Sequence, residues 1–324
     1  MQNLFTKLYS NYIAKLTTNS VKTSYNIPFF KRLPQTKINI TIGKILYRLV
    51  TIFLKDRQRT ITRNNIKYHI DLTEGIDLSL FVFGKFQEHT YNNKVLQLPD
   101  NSTVLDVGAN CGIMSLHYAK LASSGRVYSF EPTHYAFSKL KKNLALNPKL
   151  SKRIIPVQFF VSSMRSDAPV IKAYASWKVD NSGNGDRHPV HWGIEKPANG
   201  VKSVTIDNFC KEQNIRSVDF IKIDTDGHEM EVLKGSRNII SKCRPTILFE
   251  LGVFMMEERG LNFFSYYDFF SSLDYRLFNN MKTKEITIND YFKYIPLKGG
   301  TDILAIPDEK AQDNQDISNT RYKL

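Results

Sequence analysis

Cysteine is scarce in this sequence of 324 residues. The three cysteines, Cys111, Cys210 and Cys243, lie 99 and 33 residues apart and form no Cys-x-x-Cys pair. This spacing excludes a disulfide framework, so we expect a protein of a reducing, cytoplasmic compartment. Hydrophobic residues make up 42% of the sequence and charged residues 23%, which excludes collagen-like, low-complexity and wholly disordered chains.

Long hydrophobic runs are also missing. The first residues, MQNLFTKLYSNYIAKL, contain neither a continuous apolar stretch nor a small-residue cleavage site, so no signal peptide is expected. The most apolar early segment, Ile38 to Leu54, is interrupted by Lys44 and Arg48. Two charges in that segment argue against a membrane-spanning helix.

Acidic residues are almost absent from the first 67 positions. This segment holds 13 basic residues and a single acid, Asp56, and it carries +12 of the net charge of +14. The remaining residues are nearly neutral, so the charge belongs to one segment and not to the whole fold. We therefore divide the chain into a basic, partly helical segment (1–67), a folded domain (68–308) and a polar tail (309–324).

A basic stripe crosses the N-terminal segment. Lys37, Lys44, Arg48 and Lys55 are separated by 7, 4 and 7 residues, which places them within about 40° of one another on a helix. The rest of that helical surface is broadly apolar. Two interpretations stay open: a helix packed on the domain with its charges solvated, or a helix that lies on an anionic membrane surface through residues 37–55.

From residue 100 onwards short apolar runs alternate with helical stretches, which is typical of βαβ units and a mostly parallel sheet. The predicted strands are Thr103–Val107, Arg126–Phe130, Ile154–Val161, Val218–Asp224, Pro245–Leu251, Tyr275–Asn279 and Asp302–Ile306. The predicted helices between them are Gly112–Leu121, His134–Leu146, Glu229–Ser241 and Tyr266–Leu273. We therefore expect an α/β fold.

The segment STVLDVGANCG, residues 102–112, is the strongest local signal. Asp106 ends a strand, Gly108 and Gly112 lie in the following turn, and a helix begins directly. Glycines let a ligand approach the backbone, and the helix N-terminus offers free N–H donors. The turn lacks the G-x-G-x-x-G spacing of nicotinamide sites. An acid before the first glycine suits a cationic ligand such as S-adenosylmethionine; the alternative is an ordinary strand–turn–helix with an incidental aspartate.

Two further strand ends carry acidic residues. Glu131 ends the next strand, 25 residues after Asp106, where a carboxylate can accept hydrogen bonds from both hydroxyls of a ribose. In VDFIKIDTDGHEMEVLKG, alternation places Lys222 and Asp224 on one face, with Asp224 at the carboxyl end of the strand.

Three residues of the same segment are ambiguous. Asp226 and Glu229 suit a turn and a helix start as well as they suit chemistry, and His228 suits a solvated first turn as well as a base. No Asn/Asp-Pro-Pro-Tyr-like segment of nucleobase N-methyltransferases follows.

In their order along the chain, DVGANCG, FEP, KIDTDGHEMEVLKG and PTILFEL resemble the FkbM-type S-adenosylmethionine-dependent methyltransferases. VKSVTIDNF and GGTDILAIP are similar to further segments of that family. The resemblance covers about residues 70–306 and is dense at 102–147 and 203–251. Asp226 stands where the family more often has Glu, Cys111 stands where it has an aliphatic residue, and residues 1–67 have no counterpart.

The resemblance implies a class I methyltransferase fold: an α/β, Rossmann-like sheet of seven strands, mostly parallel with an antiparallel last strand. It implies S-adenosylmethionine as the cofactor and O-methylation of a hydroxyl group on a sugar, a glycan or a small natural product. The residues expected at the methionine end of the cofactor are Asp106, Gly108, Ala109, Asn110 and Gly112. Glu131 is expected at the ribose and Ser162 near the adenine.

An alcohol is a poor nucleophile near neutral pH, so a base or a cation beside it helps methyl transfer. The catalytic candidates are Asp224, His228 and Glu250, which ends the fifth strand. A divalent metal held by Asp224 and another carboxylate stays open.

The stretch 162–217 is too long for a simple connection and is rich in Gly, Asn, Pro and His. It contains Trp177, His188, His191 and Trp192, and aromatic faces are common platforms for sugar rings. We expect this insertion to form the acceptor side of the cleft. The alternative is an ordinary surface excursion whose tryptophans fill small satellite clusters.

Two other functions stay open. The basic N-terminal segment suggests a nucleic-acid methyltransferase, although those charges lie outside the cofactor domain. A non-catalytic, membrane- or glycan-associated protein that keeps only the fold is the other, and the intact Asp106, Glu131 and Asp224 argue against it.

Overall fold

The computed structural model describes residues 35–311, apart from 94–95, 97, 168–172, 176–177, 181–193, 197, 199, 282 and 297–298. The strands are β1 (Gln58–Arg63), β2 (Ile66–Asp71), β3 (Thr103–Val107), β4 (Arg126–Phe130), β5 (Ile154–Val157), β6 (Phe160–Val161), β7 (Ala173–Ala175), β8 (Ile194–Lys196), β9 (Ser203–Val204), β10 (Phe220–Ile223), β11 (Thr246–Leu251), β12 (Tyr275–Asn279) and β13 (Thr301–Pro307). The helices are α1 (Gln35–Phe53), α2 (Gly75–Phe83), α3 (Ile113–Leu121), α4 (His134–Ala145), α5 (Pro148–Ser151), α6 (Ile206–Glu212), α7 (Glu229–Lys234), α8 (Arg237–Cys243), α9 (Val253–Glu258) and α10 (Phe263–Ser271), with 3-10 turns at Glu88–Thr90 and Tyr291–Lys293. Outside the described residues lie four side chains predicted on the acceptor side: Trp177, His188, His191 and Trp192.

Seven strands form the central sheet, in the order β12-β13-β11-β10-β3-β4-β5. β13 runs antiparallel to both of its neighbours, β11 and β12. The pairs among β11, β10, β3, β4 and β5 are parallel. This confirms the predicted class I methyltransferase sheet with its antiparallel last strand. Because β4 and β10 lie on opposite sides of β3, the strand order reverses there, and the carboxyl ends of β3 and β10 face the crevice where such sheets bind ligands.

The sheet is buried on both faces, and alternation along each strand assigns its residues to one face or the other. One face, with Val107, Ile223 and Phe249, packs against α6, α7, α8 and α10. The opposite face, with Val104 and Leu248, packs against α2, α3, α4 and β2.

Two elements predicted as continuous are divided in the structure. The strand predicted at Ile154–Val161 ends at Val157, and β6 pairs with β9 outside the central sheet. The helix predicted at Glu229–Ser241 ends before Gly235, where a side chain would lie 2.1 Å from the carbonyl oxygen of Ser162. Contacts with distant segments therefore set both breaks.

The N-terminal elements join the core across the predicted boundary at residue 67. Asn64 and Asn65 turn the β1–β2 hairpin with φ values of 51° and 63°, the left-handed conformation of tight hairpins. Ile66 and Tyr68 of β2 are fully buried in the same cluster as Tyr47 of α1. In the part of the chain that is described, no helix is long and apolar enough to cross a bilayer.

A buried ion cluster connects the start of α2 to α4. The Lys139 ammonium lies 2.7 Å from Glu74 Oε2 and 2.6 Å from Asp77 Oδ2. Lys178 lies 3.2 Å from the other Glu74 oxygen, and the Tyr135 hydroxyl also donates to Glu74. Burial, opposed by the Lys139 ammonium, raises the pKa of Asp77 to about 6. Lys139 is therefore the cation that both buried carboxylates share.

Replacing Lys139 tests this cluster. Lys139→Met is expected to lower the free energy of unfolding by about 3–5 kcal/mol, because a buried carboxylate then loses its cation. Urea denaturation measures the loss. Lys142→Met, at an exposed position of the same helix, is the matched control and should change stability by less than about 0.5 kcal/mol. Equal losses in the two variants would contradict the assignment.

Candidate active site

The glycine turn after β3 is fixed by close backbone contacts. Gly108 and Gly112 have φ values of 81° and 83°, which favour glycine. A side chain on Gly108 would lie 1.7 Å from the carbonyl oxygen of Asp224, and one on Gly112 would lie 2.3 Å from Leu140. The amides of Gly108 and Ala109 both donate to the carbonyl of Phe130, at 3.0 and 2.9 Å. The turn is therefore held against the ends of both β4 and β10.

Asp106 lies beneath this turn and is fully buried. Its Oδ2 accepts a hydrogen bond of 2.5 Å from Ser115, which in turn accepts one of 2.8 Å from Ser129. Its Oδ1 lies 3.6 Å from the Lys222 ammonium and has no hydrogen-bond partner among the described residues. Burial raises the pKa of Asp106, and Lys222 opposes that rise. Asp106 is thus enclosed by Ser115 of α3 and by the Lys222 ammonium of β10.

Glu131 links the turn to the start of α4. Its Oε2 accepts from the amide of Asn110 at 3.0 Å. Its Oε1 accepts from the amide and the hydroxyl of Thr133 at 2.8 and 2.6 Å. A carboxylate has about four acceptor positions, and protein groups occupy three of those of Glu131.

Ser162, expected near the adenine, directly follows β6. Its amide donates to the carbonyl of Val204 at 3.0 Å, and its own carbonyl faces Gly235 at the end of α7. A cavity of about 440 Å³ opens between His134, Gln158 and Phe159 on one side and residues 200–204 on the other. His134, at the start of α4, follows Glu131 by three positions in the sequence. Sequence reasoning missed this cavity because its residues carry no common motif.

An acidic cluster occupies the carboxyl edge next to the turn. One carboxylate oxygen each from Asp224, Asp226 and Glu250 lie within 4.8 Å of one another. The Lys222 ammonium lies 3.2 Å from Asp224 and donates to the carbonyl of Gly108 at 3.2 Å. Burial and the charges of Asp224 and Glu229 raise the pKa of Asp226 to about 8. Burial and neighbouring carboxylates raise the pKa of Glu250 well above its ordinary value.

Among the residues that the structure describes, these three side chains are the group that could hold a hard divalent cation, since such ions prefer several carboxylate oxygens. The predicted metal ligands, Asp224 and another carboxylate, therefore lie together. A sulfonium or an ammonium group would also relieve the mutual repulsion of the cluster. The residues fit both a cationic cofactor and a metal.

Glu229 organises the loop that carries Asp226. Its Oε1 accepts from the amide and hydroxyl of Thr225, each at 3.0 Å, and from the amide of Gly227 at 3.2 Å. Asp226 adopts a left-handed φ of 51° in this loop. Of the two ambiguous acids, Glu229 is therefore the scaffold, whereas Asp226 both forms the turn and joins the cluster.

His228 is directed toward Arg259. A guanidinium only donates, so its contact of 2.7 Å with His228 Nε2 occupies the lone pair of that nitrogen. The ring also packs edge to face on Phe160 with centroids 4.9 Å apart. Of the predicted catalytic residues, the structure brings Asp224 and Glu250 together and gives His228 a separate partner.

Sequence reasoning missed a histidine–aspartate pair at this edge. Asp302 lies opposite Glu250 in the β11–β13 register. Because β13 is antiparallel, its first residues reach the edge where the parallel strands end. His89, in the 3-10 turn Glu88–Thr90, contacts Asp302 Oδ2 through its Nε2. Asp302 belongs to GGTDILAIP, but His89 stands 213 positions away and no motif marks it.

The glycine turn gives a prediction with a matched control. Gly108→Ala is expected to lower the free energy of unfolding for two reasons. The left-handed backbone contributes about 1–2 kcal/mol, and overpacking against Asp224 contributes about 1–3 kcal/mol. Gly260→Ala carries only the backbone cost, because Gly260 has a φ of 64° and no atom within 4 Å of an added side chain. Urea denaturation should show the larger loss for Gly108→Ala. Equal losses would contradict the close approach.

Comparison with known proteins shows which proteins this chain is similar to. The chain is 27% identical over 173 residues to methyltransferase sdnD of Sordaria araneosa. The aligned region covers 46% of this chain and 65% of that protein. It is 25% identical over 153 residues to hexuronic acid methyltransferase AglP of Haloferax volcanii, covering 46% and 56%. It is 24% identical over 168 residues to 2-O-methyltransferase NoeI of Sinorhizobium fredii, covering 46% and 63%.

The chain thus spans less than two thirds of the length of each of these relatives. The profile of the methyltransferase FkbM domain matches residues 106–277, and this range contains the glycine turn, Glu131 and the acidic cluster. The matched range is more than half of the chain, and the chain therefore belongs to the FkbM methyltransferase family.

Proposed function

We propose that this protein transfers a methyl group from S-adenosylmethionine to a hydroxyl group of a sugar, a glycan or a small natural product. The observation that carries the proposal is the acidic cluster of Asp224, Asp226 and Glu250 beside the glycine turn at the carboxyl edge of the sheet. Two of the relatives are named as a hexuronic acid methyltransferase and a 2-O-methyltransferase, which supports a hydroxyl acceptor.

The residues around the turn would hold the cofactor. We assign the methionine end to Gly108, Ala109, Asn110 and Gly112, with Asp106 acting beneath them. The ribose belongs at the free acceptor position of Glu131, and the adenine in the cavity beside His134 and Phe159. The cofactor supplies an electrophilic methyl group when bound. The acidic field of the cluster favours the cationic sulfonium at this place.

The acceptor belongs on the other side of the turn. Glu131 lies at the end of β4. A cofactor that spans from the turn to Glu131 therefore leaves the ends of β10 and β11 and the start of β13 free. Asp224 and Glu250 can accept hydrogen bonds from acceptor hydroxyls there and hold one oxygen in line for attack. The same carboxylates repel a phosphate backbone, which disfavours nucleic acid as the acceptor.

His89 is the residue that we assign to the leaving proton. In the tautomer in which Nε2 donates to Asp302, Nδ1 carries the lone pair that can take a proton. Imidazole is the commonest general base, and a carboxylate behind it fixes the tautomer. About a third of the His89 side chain is exposed, whereas Asp302 is mostly covered. His89 is thus the group that can reach an acceptor, and Asp302 positions it.

A labelling assay tests the function. The full chain is incubated with S-adenosylmethionine labelled in the methyl group and with panels of glycans, lipids and RNAs. We expect label in a hydroxylated sugar or small molecule as an alkali-stable methyl ether. Asp224→Asn should lower turnover about 10²-fold at saturating cofactor, because it removes a carboxylate that holds the acceptor hydroxyl, and it should weaken cofactor binding by a smaller factor. Label confined to RNA, or full turnover by Asp224→Asn, would contradict the proposal.

A chelator arm of the same assay addresses the metal. Loss of turnover in EDTA that is restored by Mg²⁺ or Mn²⁺ would assign a metal to Asp224, Asp226 and Glu250, where it would act as a Lewis acid on the hydroxyl. Turnover that EDTA leaves unchanged would assign activation of the hydroxyl to side chains alone.

The His89 assignment has its own test with the acceptor found in that assay. His89→Gln should lower kcat about 10²- to 10⁴-fold with little change in the acceptor KM. Asp302→Asn should also lower kcat, and Asp302→Glu should recover part of it, because the glutamate keeps a carboxylate behind the ring. His69→Gln, on β2, is the matched control and should keep wild-type kcat. A normal kcat for His89→Gln would overturn the assignment.

A further inference from the structure

Helix α1 has two apolar faces, and only one of them packs on the domain. Tyr47 is buried in the core cluster, with Val50 and Leu54 packed beside it. On a second face, five large side chains are exposed to solvent. Their exposed fractions are 46% for Ile42, 54% for Ile45, 52% for Leu49, 71% for Ile52 and 83% for Phe53.

The exposed side chains form one continuous stripe, which we call the α1 stripe (Ile42, Ile45, Leu49, Ile52 and Phe53). At about 100° per residue they fall within an arc of about 100°. Their span along the axis is about 16 Å at 1.5 Å per residue. A contiguous exposed apolar patch on a folded domain marks a surface that binds a protein, a membrane or a ligand.

Basic residues border the α1 stripe along one edge. Arg48 is exposed there, Lys44 is half-buried on the same side, and Lys55 is exposed two residues after α1 ends. The opposite edge leads into the packed face through Leu46. α1 contains no acidic residue, and residues 1–67 together contain one. The charge beside the α1 stripe is therefore positive without compensation from the helix itself.

The positive charge beside the α1 stripe favours one kind of partner over another. In a two-fold dimer through antiparallel α1 helices, the basic edge of one copy would face the basic edge of the other, which is unfavourable. An anionic lipid surface complements both features. Apolar side chains enter the boundary between headgroups and acyl chains, while arginine and lysine reach the phosphates.

We propose that α1 docks this protein onto an anionic membrane surface. The α1 stripe lies in the headgroup boundary, and Arg48 and Lys55 contact lipid phosphates. The helix lies on the surface and does not span it, because no described helix is apolar enough to cross a bilayer. Docking uses none of the residues assigned to methyl transfer, so its failure and that of the proposed function are distinguishable.

Sedimentation of the full chain with vesicles tests the proposal. One set consists of phosphatidylcholine alone, and in the other part of the phosphatidylcholine is replaced by phosphatidylglycerol. We expect strong binding to the anionic set, weak binding to the neutral set, and weaker anionic binding as salt is raised. Arg48→Gln/Lys55→Gln should lower anionic partitioning about thirtyfold, since each charge near such a surface contributes about 1 kcal/mol.

Variants of the α1 stripe test whether vesicle binding depends on this helix or on basic residues elsewhere in the chain. Ile45→Gln/Leu49→Gln keeps helix propensity and should abolish binding to both vesicle sets. Met164→Gln, at another exposed apolar position, and Lys149→Gln/Lys152→Gln, at exposed basic positions, are the matched controls and should bind as wild type. Unchanged melting temperature and S-adenosylmethionine affinity show that each variant is folded.

Three outcomes would overturn the proposal. Anionic binding that survives Ile45→Gln/Leu49→Gln would assign it to basic residues elsewhere. Equal binding to neutral and anionic vesicles would remove the role of Arg48 and Lys55. A chain that ignores both vesicle sets but sediments as a dimer, and becomes monomeric in Ile45→Gln/Leu49→Gln, would make the α1 stripe a contact between copies.

Discussion

The buried ammonium of Lys222 lies between the two strands that build the site. It faces Asp106 on β3 and Asp224 at the end of β10, and it donates to the carbonyl of Gly108 in the turn. Removing this cation is strongly unfavourable, because the fully buried carboxylate of Asp106 would lose its cation. Burial alone would lower the pKa of Lys222, but the two aspartates raise it. This one ammonium therefore keeps the glycine turn and the acidic loop in register.

The acidic edge depends on that support. Asp224, Asp226 and Glu250 repel one another, and burial together with this repulsion raises the pKa values of Asp226 and Glu250. Fixed scaffolding keeps the carboxylates together: Glu229 accepts three hydrogen bonds from the loop, and Gly300 lies directly against the Glu250 carboxylate. A site preorganised in this way favours positive charge, which is the property that a sulfonium methyl donor needs.

Local patterns in the sequence account for the strands, the glycine turn and the acidic strand ends, because each depends on neighbours within a few residues. The pairing of His89 with Asp302 depends on a register between β11 and β13 and on the path of a distant 3-10 turn, so no local pattern contains it. The same applies to His228, whose partner Arg259 lies 31 residues away. Asp106 shows a different limit. Its position predicts the turn, but only tertiary packing decides that Ser115 and Lys222 enclose its carboxylate.

Helix α1 shows why periodicity could not choose between packing and membrane docking. Apolar side chains cover most of its circumference, and the narrow basic stripe does not show which part of that apolar surface packs on the domain. Tyr47 joins the core and turns the α1 stripe outward, with the basic edge beside it. Positive charge is thus concentrated at the N-terminal segment and negative charge at the carboxyl edge of the sheet. Because the two regions carry opposite charges, the ligands that we propose for them, a cationic cofactor and an anionic surface, do not compete for the same residues.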